Sequence, residues 1–198
     1  MLLPEICRHI GAQPGRYARR FNFASCELWL CTEICHIFNF DLGHAHFPAL
    51  GDGRYFLYNE DDKRDLSLYR DLSQDEGAFQ HQLLTHIEAK VAYPNQNPPK
   101  NWLKSLTMKM AKYRGAGVAL EGWVFLTWTS DDKYKKTPQP EQFFANVEAQ
   151  LLGEEALGLL GETWVVEPER YPVIDEVFEW RGRPKRIVVQ ALRIVAAE

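Results

Sequence analysis

Apolar residues recur four positions apart in the middle of the chain, between two polar segments. They are Phe79, Leu83, Ile87 and Val91, and a Ser-x-x-Glu capping box at 73–76 precedes them. Apolar residues at this spacing form one face of an α-helix, and a capping box is typical of a helix start. The pattern predicts an amphipathic helix that ends at the Pro/Asn-rich connector 94–99.

Helical spacing also appears in three other parts of the chain. Ser25 is a plausible N-cap for a buried helix over 26–38, and Asn101 for a helix that ends at Gly115. Pro140 begins a helix that stops at Gly153, with a short helix over 154–160 after it. Residues 1–24 are expected to be irregular or weakly helical, because Pro14 and Gly15 interrupt them.

Alternating or continuous apolar runs predict the strands. Residues 44–50 and 54–59 flank Gly51-Asp52-Gly53 as a hairpin, and 66–69 is a short strand inside the acidic segment 60–76. Residues 118–129 are apolar at both alternating positions, as in a central strand covered on both sides. Residues 163–167 form a further strand, and a hairpin of 176–181 and 187–195 closes through 182–185.

Together these elements predict an α+β fold, a mainly antiparallel sheet of hairpins packed with three to four helices. The 198 residues fit a single domain, with an N-terminal subregion at 1–60 and a main α+β part at 73–198. The first holds a Cys/His-containing helix and a hairpin. No internal repeat interrupts this order.

Composition narrows the functional classes. Hydrophobic residues make up 45% of the chain, and the formal net charge is -4. No run of 18 apolar residues occurs, so we expect no membrane partner. The N-terminal residues lack the apolar core of a signal peptide, so we expect a cytoplasmic protein in which disulfides are disfavoured.

Basic residues gather in three clusters, each beside an aromatic residue. Phosphates attract positive charge and bases stack on aromatic rings, so such clusters are typical of nucleic-acid contact. Solvated helix faces and hairpin tips are the alternative interpretation. The candidate nucleic-acid-binding residues are Lys104, Lys109, Lys112, Arg114, Trp128, Lys133, Tyr134, Lys135, Lys136, Trp180, Arg181, Arg183, Lys185 and Arg186.

Cysteine and histidine residues suggest a zinc site in the N-terminal subregion. Cys31 and Cys35 are one helical turn apart, and His44 and His46 would lie on one face of a strand. Two thiolates and two imidazoles would complete a tetrahedral Zn²⁺ site. However, no Cys-x-x-Cys pair is present, and the alternative is that the two cysteines pack as small apolar residues in a helix.

His44-Ala45-His46 is similar to the His-hydrophobic-His motif of single-strand nicking endonucleases, and residues 125–129 resemble the strand motif of that family. The resemblance covers about ten residues. It implies a divalent metal held by His44 and His46. In the usual arrangement the strand precedes the histidine pair, whereas here it follows, and no Tyr-x-x-x-Lys helix accompanies it. With Asp41 as a carboxylate ligand, this region offers a metal-dependent nuclease or hydrolase as an alternative function.

Glu88-Ala89-Lys90 has the Glu-x-Lys form of many metal-dependent nucleases. The resemblance implies that these residues lie on a strand, with an Asp supplied from an adjacent element. Because the apolar periodicity predicts a helix here, we expect a solvated helix face at these positions instead.

Charge clustering therefore favours a nucleic-acid-binding protein, a non-catalytic subunit of a larger protein–nucleic-acid complex whose partners are DNA or RNA and other protein subunits. A possible Zn²⁺ ion would brace the N-terminal part. Two alternatives remain open. One is the metal-dependent nuclease or hydrolase, and the other is a protein–protein adaptor or inhibitor acting through the acidic segment 60–76.

Overall fold

The computed structural model describes residues 2–22, 26–43, 47, 50–60, 64–73, 80–94, 99–131 and 139–197. The helices are α1 (Leu2–Gly11), α2 (Pro14–Phe21), α3 (Glu27–His36), α4 (Pro99–Ala111), α5 (Pro140–Leu151) and α6 (Glu154–Leu160), with a π-helix at Ile37–Leu42 directly after α3. The strands are β1 (Arg54–Asn59), β2 (Leu66–Asp71), β3 (His81–Ala92), β4 (Ala119–Thr129), β5 (Trp164–Val166), β6 (Tyr171–Trp180) and β7 (Arg183–Ala196).

The described strands form one sheet in the order β1-β2-β3-β4-β7, and both β5 and β6 pair with β7. β3 and β4 run parallel and every other pair is antiparallel. A parallel pair needs a crossover connection, and α4 supplies it between β3 and β4. The α+β class with a mainly antiparallel sheet is thus confirmed.

Helices cover both faces of the sheet, so the core lies in two layers. Residues of α1, α2, α3 and the π-helix pack against one face and share a hydrophobic cluster with β1, β2 and β3. Residues of α4, α5 and α6 pack against the other face over β4 and β7. The prediction for 118–129 is confirmed, because β4 is buried on both faces between β3 and β7.

The helix predicted from Phe79 to Val91 is wrong. Residues His81–Ala92 form β3. A spacing of four is also a multiple of the strand repeat of two, so Ile87 and Val91 share one strand face with Ala89. The capping-box serine has another role, since Ser73 Oγ accepts a hydrogen bond from the N–H of Gln80 at 3.2 Å and so closes the β2–β3 connection. Phe79 lies outside the described residues.

Three further features of the fold differ from the predictions. Residues 2–21 form two helices with Pro14 at the first turn of α2, where proline is tolerated, so six α-helices are described instead of three to four. Strand β1 pairs with β2, and most of its predicted hairpin partner, 44–50, lies outside the described residues. The turn after β6 is Arg181-Gly182, both with positive φ as in a type I′ turn, so β7 begins at Arg183.

The helices at 140–151 and 154–160 are confirmed within one or two residues. The helix predicted from Asn101 begins instead at Pro99. Among the described residues no helix has the length and apolar character needed to cross a membrane.

Candidate functional site

Strand β3 carries a row of polar residues on the face that looks toward α4. His86 and Glu88 are completely buried there, and Lys90 follows on the same face. The β2–β3 register shifts by one residue near Leu84, which brings His81 to this face as well. A β-bulge re-aims side chains in this way, and bulges are common beside active sites. Glu88-Ala89-Lys90 therefore lies on a strand, which corrects the expected helix face.

Asp65 stands immediately before β2 and reaches the same place on β3. Its Oδ2 accepts a hydrogen bond from the N–H of Ala89 at 3.0 Å. Pairing between β2 and β3 stops at Leu66 and Ile87, so β3 extends beyond its neighbour there. A backbone N–H at such an edge needs another acceptor. The end of β2 thus brings an aspartate carboxylate against the Glu-x-Lys segment.

Glu27, in the first turn of α3, contacts Lys90, which follows Glu88 on the same face of β3. Its Oε2 lies 2.7 Å from Lys90 Nζ and accepts a hydrogen bond from the N–H of Val91 at 3.2 Å. The ion pair holds the Lys90 ammonium at the part of β3 that extends beyond β2. Both Glu27 and Lys90 remain partly exposed, so solvent and ligands reach this end of the site.

Lys109 of α4 contacts both carboxylates from above the sheet. Its Nζ lies 2.9 Å from Glu88 Oε2 and 3.3 Å from Asp65 Oδ1. The close approach of α4 depends on Gly122, the β4 neighbour of Glu88. A Cβ at Gly122 would lie 2.9 Å from Leu106 and 3.0 Å from Met110, the residue after Lys109. Absence of a side chain at Gly122 thus lets α4 bring Lys109 to the carboxylates.

The two carboxyl groups titrate in opposite directions. Burial raises the pKa of Asp65 to about 6, with the negative charge of Glu88 as the next cause. Burial also acts to raise the pKa of Glu88, but contacts with His86, Lys109 and Asp65 outweigh it and lower the pKa overall. His86 Nε2 lies 2.8 Å from Glu88 Oε1. Carboxyl pairs whose pKa values are pushed apart are typical of acid–base and metal sites.

The donor set fits a hard divalent cation. Asp65 and Glu88 supply carboxylate oxygens, and Glu88 Oε2 accepts no hydrogen bond of good geometry apart from its ion pair with Lys109. Mg²⁺ is commonly held by one or two carboxylates together with substrate phosphates and water. No group of three or more His, Cys, Asp and Glu side chains in the described part of the chain is arranged to hold a metal by itself. The pair therefore suits a cation that arrives with a phosphate, not a closed structural site.

The predicted basic residues on and after α4 have different environments. Lys104, Lys112 and Arg114 are exposed, whereas Lys109 belongs to the carboxylate cluster. Trp128 is only 6% exposed and packs in the core beneath α5, which leaves no open ring face for a base and corrects its assignment as a stacking residue. The cluster Lys133, Tyr134, Lys135 and Lys136 lies outside the described residues.

The hairpin between β6 and β7 separates its basic residues. Arg181 and Arg183 are exposed, and the Arg181 guanidinium lies 5.8 Å from the ring of Trp180. Lys185 is buried, with its Nζ 3.4 Å from the carbonyl oxygen of Ser130. Arg186 forms a two-bond ion pair with Asp175, at 2.9 Å for each bond. Arg181 and Arg183 thus lie exposed at the tip of the hairpin, whereas Lys185 and Arg186 contact neighbouring protein groups.

Cys31 and Cys35 are buried on α3, in the core against the sheet. Burial raises the pKa of the Cys35 thiol to about 12 and that of Cys31 further, so both favour the neutral thiol over the thiolate that binds zinc. His44 and His46, the other predicted zinc ligands, lie outside the described residues. A zinc ion shared by these four residues stays a prediction.

Asp41, the carboxylate of the alternative hydrolase, lies at the end of the π-helix between two imidazoles. Its oxygens are 3.2 Å from His9 Nε2 and 3.5 Å from His36 Nε2. Asp41 thus already bridges α1 and α3 through these contacts. It is not part of the group formed by Asp65, Glu88 and Lys90.

Sequence reasoning noted Glu88 and Lys90 but assigned them to a solvated helix face, and it missed Asp65 and Glu27. Asp65 was assigned to the solvated acidic segment 60–76, although the apolar Leu66 and Leu68 directly follow it. Both leucines are buried on the face of β2 that packs against α3, so alternation directs the residue before them to the opposite face, where Lys109 lies. An Asp immediately before a short apolar run was the available signal. Glu27 carried no signal, because only the packing of α3 on β3 brings it to Lys90.

No family model matches the chain, and no curated protein or solved structure matches it significantly. The geometry of the site is therefore the basis for its proposed function.

Proposed function

We propose that the protein is a divalent-metal-dependent nuclease, with Asp65 and Glu88 as the metal ligands and Lys90 as the cationic catalytic residue. The observation that carries the proposal is the convergence on one strand edge of a Glu-x-Lys segment and an Asp from the neighbouring strand. Metal-dependent nucleases of the Glu-x-Lys form have this arrangement. Nucleic acid is also the partner that the basic clusters predict.

Asp65 and Glu88 would share the cation. The pKa of Asp65 is raised and that of Glu88 is lowered, so above pH 6 both groups are ionised. When bound, Mg²⁺ would neutralise a phosphodiester oxygen and lower the pKa of the attacking water. The N–H of Ala89 orients the Asp65 carboxylate and His86 orients that of Glu88, so neither group needs to reorganise.

Lys90 would stabilise negative charge at the reacting phosphate. Its ammonium is held by Glu27 at 2.7 Å and is partly exposed, which leaves donors for a phosphate oxygen. A positioned charge of this kind acts at the transition state without moving. Glu27 is a positioning residue, because it reaches the phosphate only through Lys90.

When substrate binds, the Lys109 ammonium would turn from the two carboxylates to a phosphate. Its Nζ supplies one positive charge to two carboxylates and the side chain is 45% exposed. A flexible lysine stem lets the ammonium turn to a neighbouring anion. The predicted role of Lys109 in nucleic-acid contact is thus compatible with its place in the cluster.

The decisive experiment measures cleavage of labelled single-stranded and duplex DNA and RNA by the purified full chain, with Mg²⁺ or Mn²⁺ and with EDTA. We expect metal-dependent cleavage, which Asp65→Asn and Glu88→Gln reduce more than about 100-fold and Lys90→Ala about 100-fold. Glu148→Gln on α5, which removes an ion pair with Arg170 away from the site, is the matched control and should keep full activity. Circular dichroism confirms that each variant folds.

Two outcomes would overturn the proposal. Equal cleavage by wild type, Asp65→Asn and Glu88→Gln would assign the activity to another site or a contaminant. Salt-sensitive binding without cleavage under any metal would favour the non-catalytic nucleic-acid-binding subunit instead.

A further inference from the structure

Aromatic side chains cover the outer part of the sheet on the side of the candidate site. Phe56 and Tyr58 of β1, Tyr69 of β2 and His81 of β3 form one cluster. His81 lies at its centre, with ring centroids 5.9 Å from Phe56, 6.4 Å from Tyr58 and 6.1 Å from Tyr69. Tyr58 is 42% exposed and His81 is exposed as well.

The hydrophobic core does not require this aromatic cluster. The opposite faces of β1 and β2 carry Tyr55, Leu57, Leu66 and Leu68, which are buried and join the sheet to α3 and the π-helix. The hydrophobic core is thus complete without Phe56 and Tyr58. An exposed aromatic patch that the core does not require is typical of a binding surface.

Contacts continue from this cluster to the carboxylates without a break. The hydroxyl of Tyr69 accepts a hydrogen bond from Arg64 at 3.2 Å, and the Arg64 guanidinium lies over the ring of Tyr113 at 5.8 Å. Tyr113 in turn stacks on His86, with 4.1 Å between centroids, and His86 contacts Glu88. This aromatic track consists of Phe56, Tyr58, Tyr69, His81 and Tyr113, and the buried Arg64 connects its last two tyrosines on the way to Glu88.

A cavity of about 480 Å³ opens at the far end of the track. Its walls include Phe56, Tyr58 and Phe40, and the exposed Arg54 lies at its rim. A volume of this size accommodates a small planar molecule such as a nucleobase. Arg54 offers a phosphate contact beside the aromatic walls.

We infer that the aromatic track binds one strand of nucleic acid, with bases stacked on Tyr58 and His81 and the backbone directed to the carboxylates. Stacking needs unpaired bases, because bases inside a duplex are covered by their neighbours. The inference rests on the proposed nuclease function and adds that the substrate is single-stranded. It assigns base contact to β1 and β3 instead of Trp128.

The test is a fluorescence-anisotropy titration of labelled oligothymidylate of about 12 nucleotides in EDTA, with oligouridylate and a duplex of equal length in parallel. We expect the single strands to bind more tightly than the duplex. Tyr58→Ala/His81→Ala should weaken single-strand binding about tenfold or more, and Tyr58→Trp should retain it. Val177→Ala, which removes an exposed apolar side chain from β6, is the control and should bind as wild type.

Unchanged affinity in the double variant, or tighter binding to the duplex than to either single strand, would overturn the inference. Because the titration contains EDTA and measures no cleavage, its outcome is independent of the nuclease assay. A tenfold loss supports the track even if the chain cleaves nothing, and an unchanged affinity removes it even if cleavage is found.

Discussion

Two clusters of the molecule each combine two carboxylates with one cation, yet they differ in how the charges are matched. In the Asp65–Glu88 cluster the cation is Lys109. In the Arg193 cluster, Arg193 of β7 contacts Glu121 of β4 through two hydrogen bonds of 2.8 and 2.6 Å, and Glu167 through a third of 2.7 Å. The indole N–H of Trp123 also donates to Glu121 at 2.8 Å.

The Arg193 cluster is a structural ion pair. A guanidinium has a rigid fork of donors that fits a carboxylate, and it separates the two acidic groups. Burial acts to lower the pKa of Arg193, but the hydrogen bonds to Glu121 outweigh it and raise the pKa overall. The charge therefore stays fixed, and the contacts join β4, β7 and the end of β5.

In the Asp65–Glu88 cluster, the donors of the cation match the carboxylates less well. The two carboxyl groups face each other and share one ammonium, and the pKa of Asp65 is raised to about 6 as a result of burial and of Glu88. A lysine side chain that is 45% exposed can leave such a site. The comparison teaches that the two clusters, which contain the same number of charges, differ in how well their donors match their acceptors, and this difference supports the proposed functional role of the Asp65–Glu88 cluster.

The largest expected effect concerns stability. Arg193→Ala should lower the free energy of unfolding by about 3 kcal/mol, because it leaves two carboxylates that are only 15% and 21% exposed without their cation. Lys109→Ala should lower it less, by about 1–2 kcal/mol, because Asp65 can take up a proton and His86 still contacts the buried Glu88. Urea unfolding of both variants measures the difference. Equal losses would end the distinction between the clusters.

Mg²⁺ should stabilise the protein through the Asp65–Glu88 cluster and not through the Arg193 cluster. At a Mg²⁺ concentration of about 100 times Kd, the wild-type free energy of unfolding should rise by about 2.7 kcal/mol. Glu88→Gln should abolish this gain and Glu121→Gln should retain it, because only the first variant removes a proposed ligand. Thermal unfolding with and without Mg²⁺ provides the measurement. Stabilisation that persists in Glu88→Gln would place the metal elsewhere.

The smallest effect is a pH dependence with a defined sign. The pKa of Asp65 is higher in the folded chain, about 6, than the ordinary value of 3.8, so its contribution to stability is present below pH 4 and is lost as the pH rises through 6. Glu88, with a lowered pKa, has the opposite dependence, and its contacts with His86 and Lys109, which lower that pKa, remain in Asp65→Asn. Relative to that variant, wild type should lose about 1 kcal/mol between pH 4 and pH 7. A constant difference across this range would contradict the shifted pKa.

Part of the site followed from the sequence, and the rest required the fold. Glu88 and Lys90 were identifiable from their spacing, and the requirement for a neighbouring Asp followed from the resemblance to metal-dependent nucleases. The assignment failed at secondary structure, because four-residue spacing is compatible with both a helix and a strand. The β-branched Thr85, Ile87 and Val91 favoured the strand, as His81–Ala92 shows.

The sequence by itself determined the α+β class, the doubly covered strand β4 and the helices that begin at Pro140 and Glu154. Each depends on local patterns of apolar, Pro and Gly residues, which act within one element. Only the tertiary structure decided that Asp65, Glu27 and Lys109 converge on β3. These contacts span 24, 63 and 21 positions of the chain. They arise because β2 ends early, α3 packs on the open edge of β3 and Gly122 admits α4, and no local pattern records such packing.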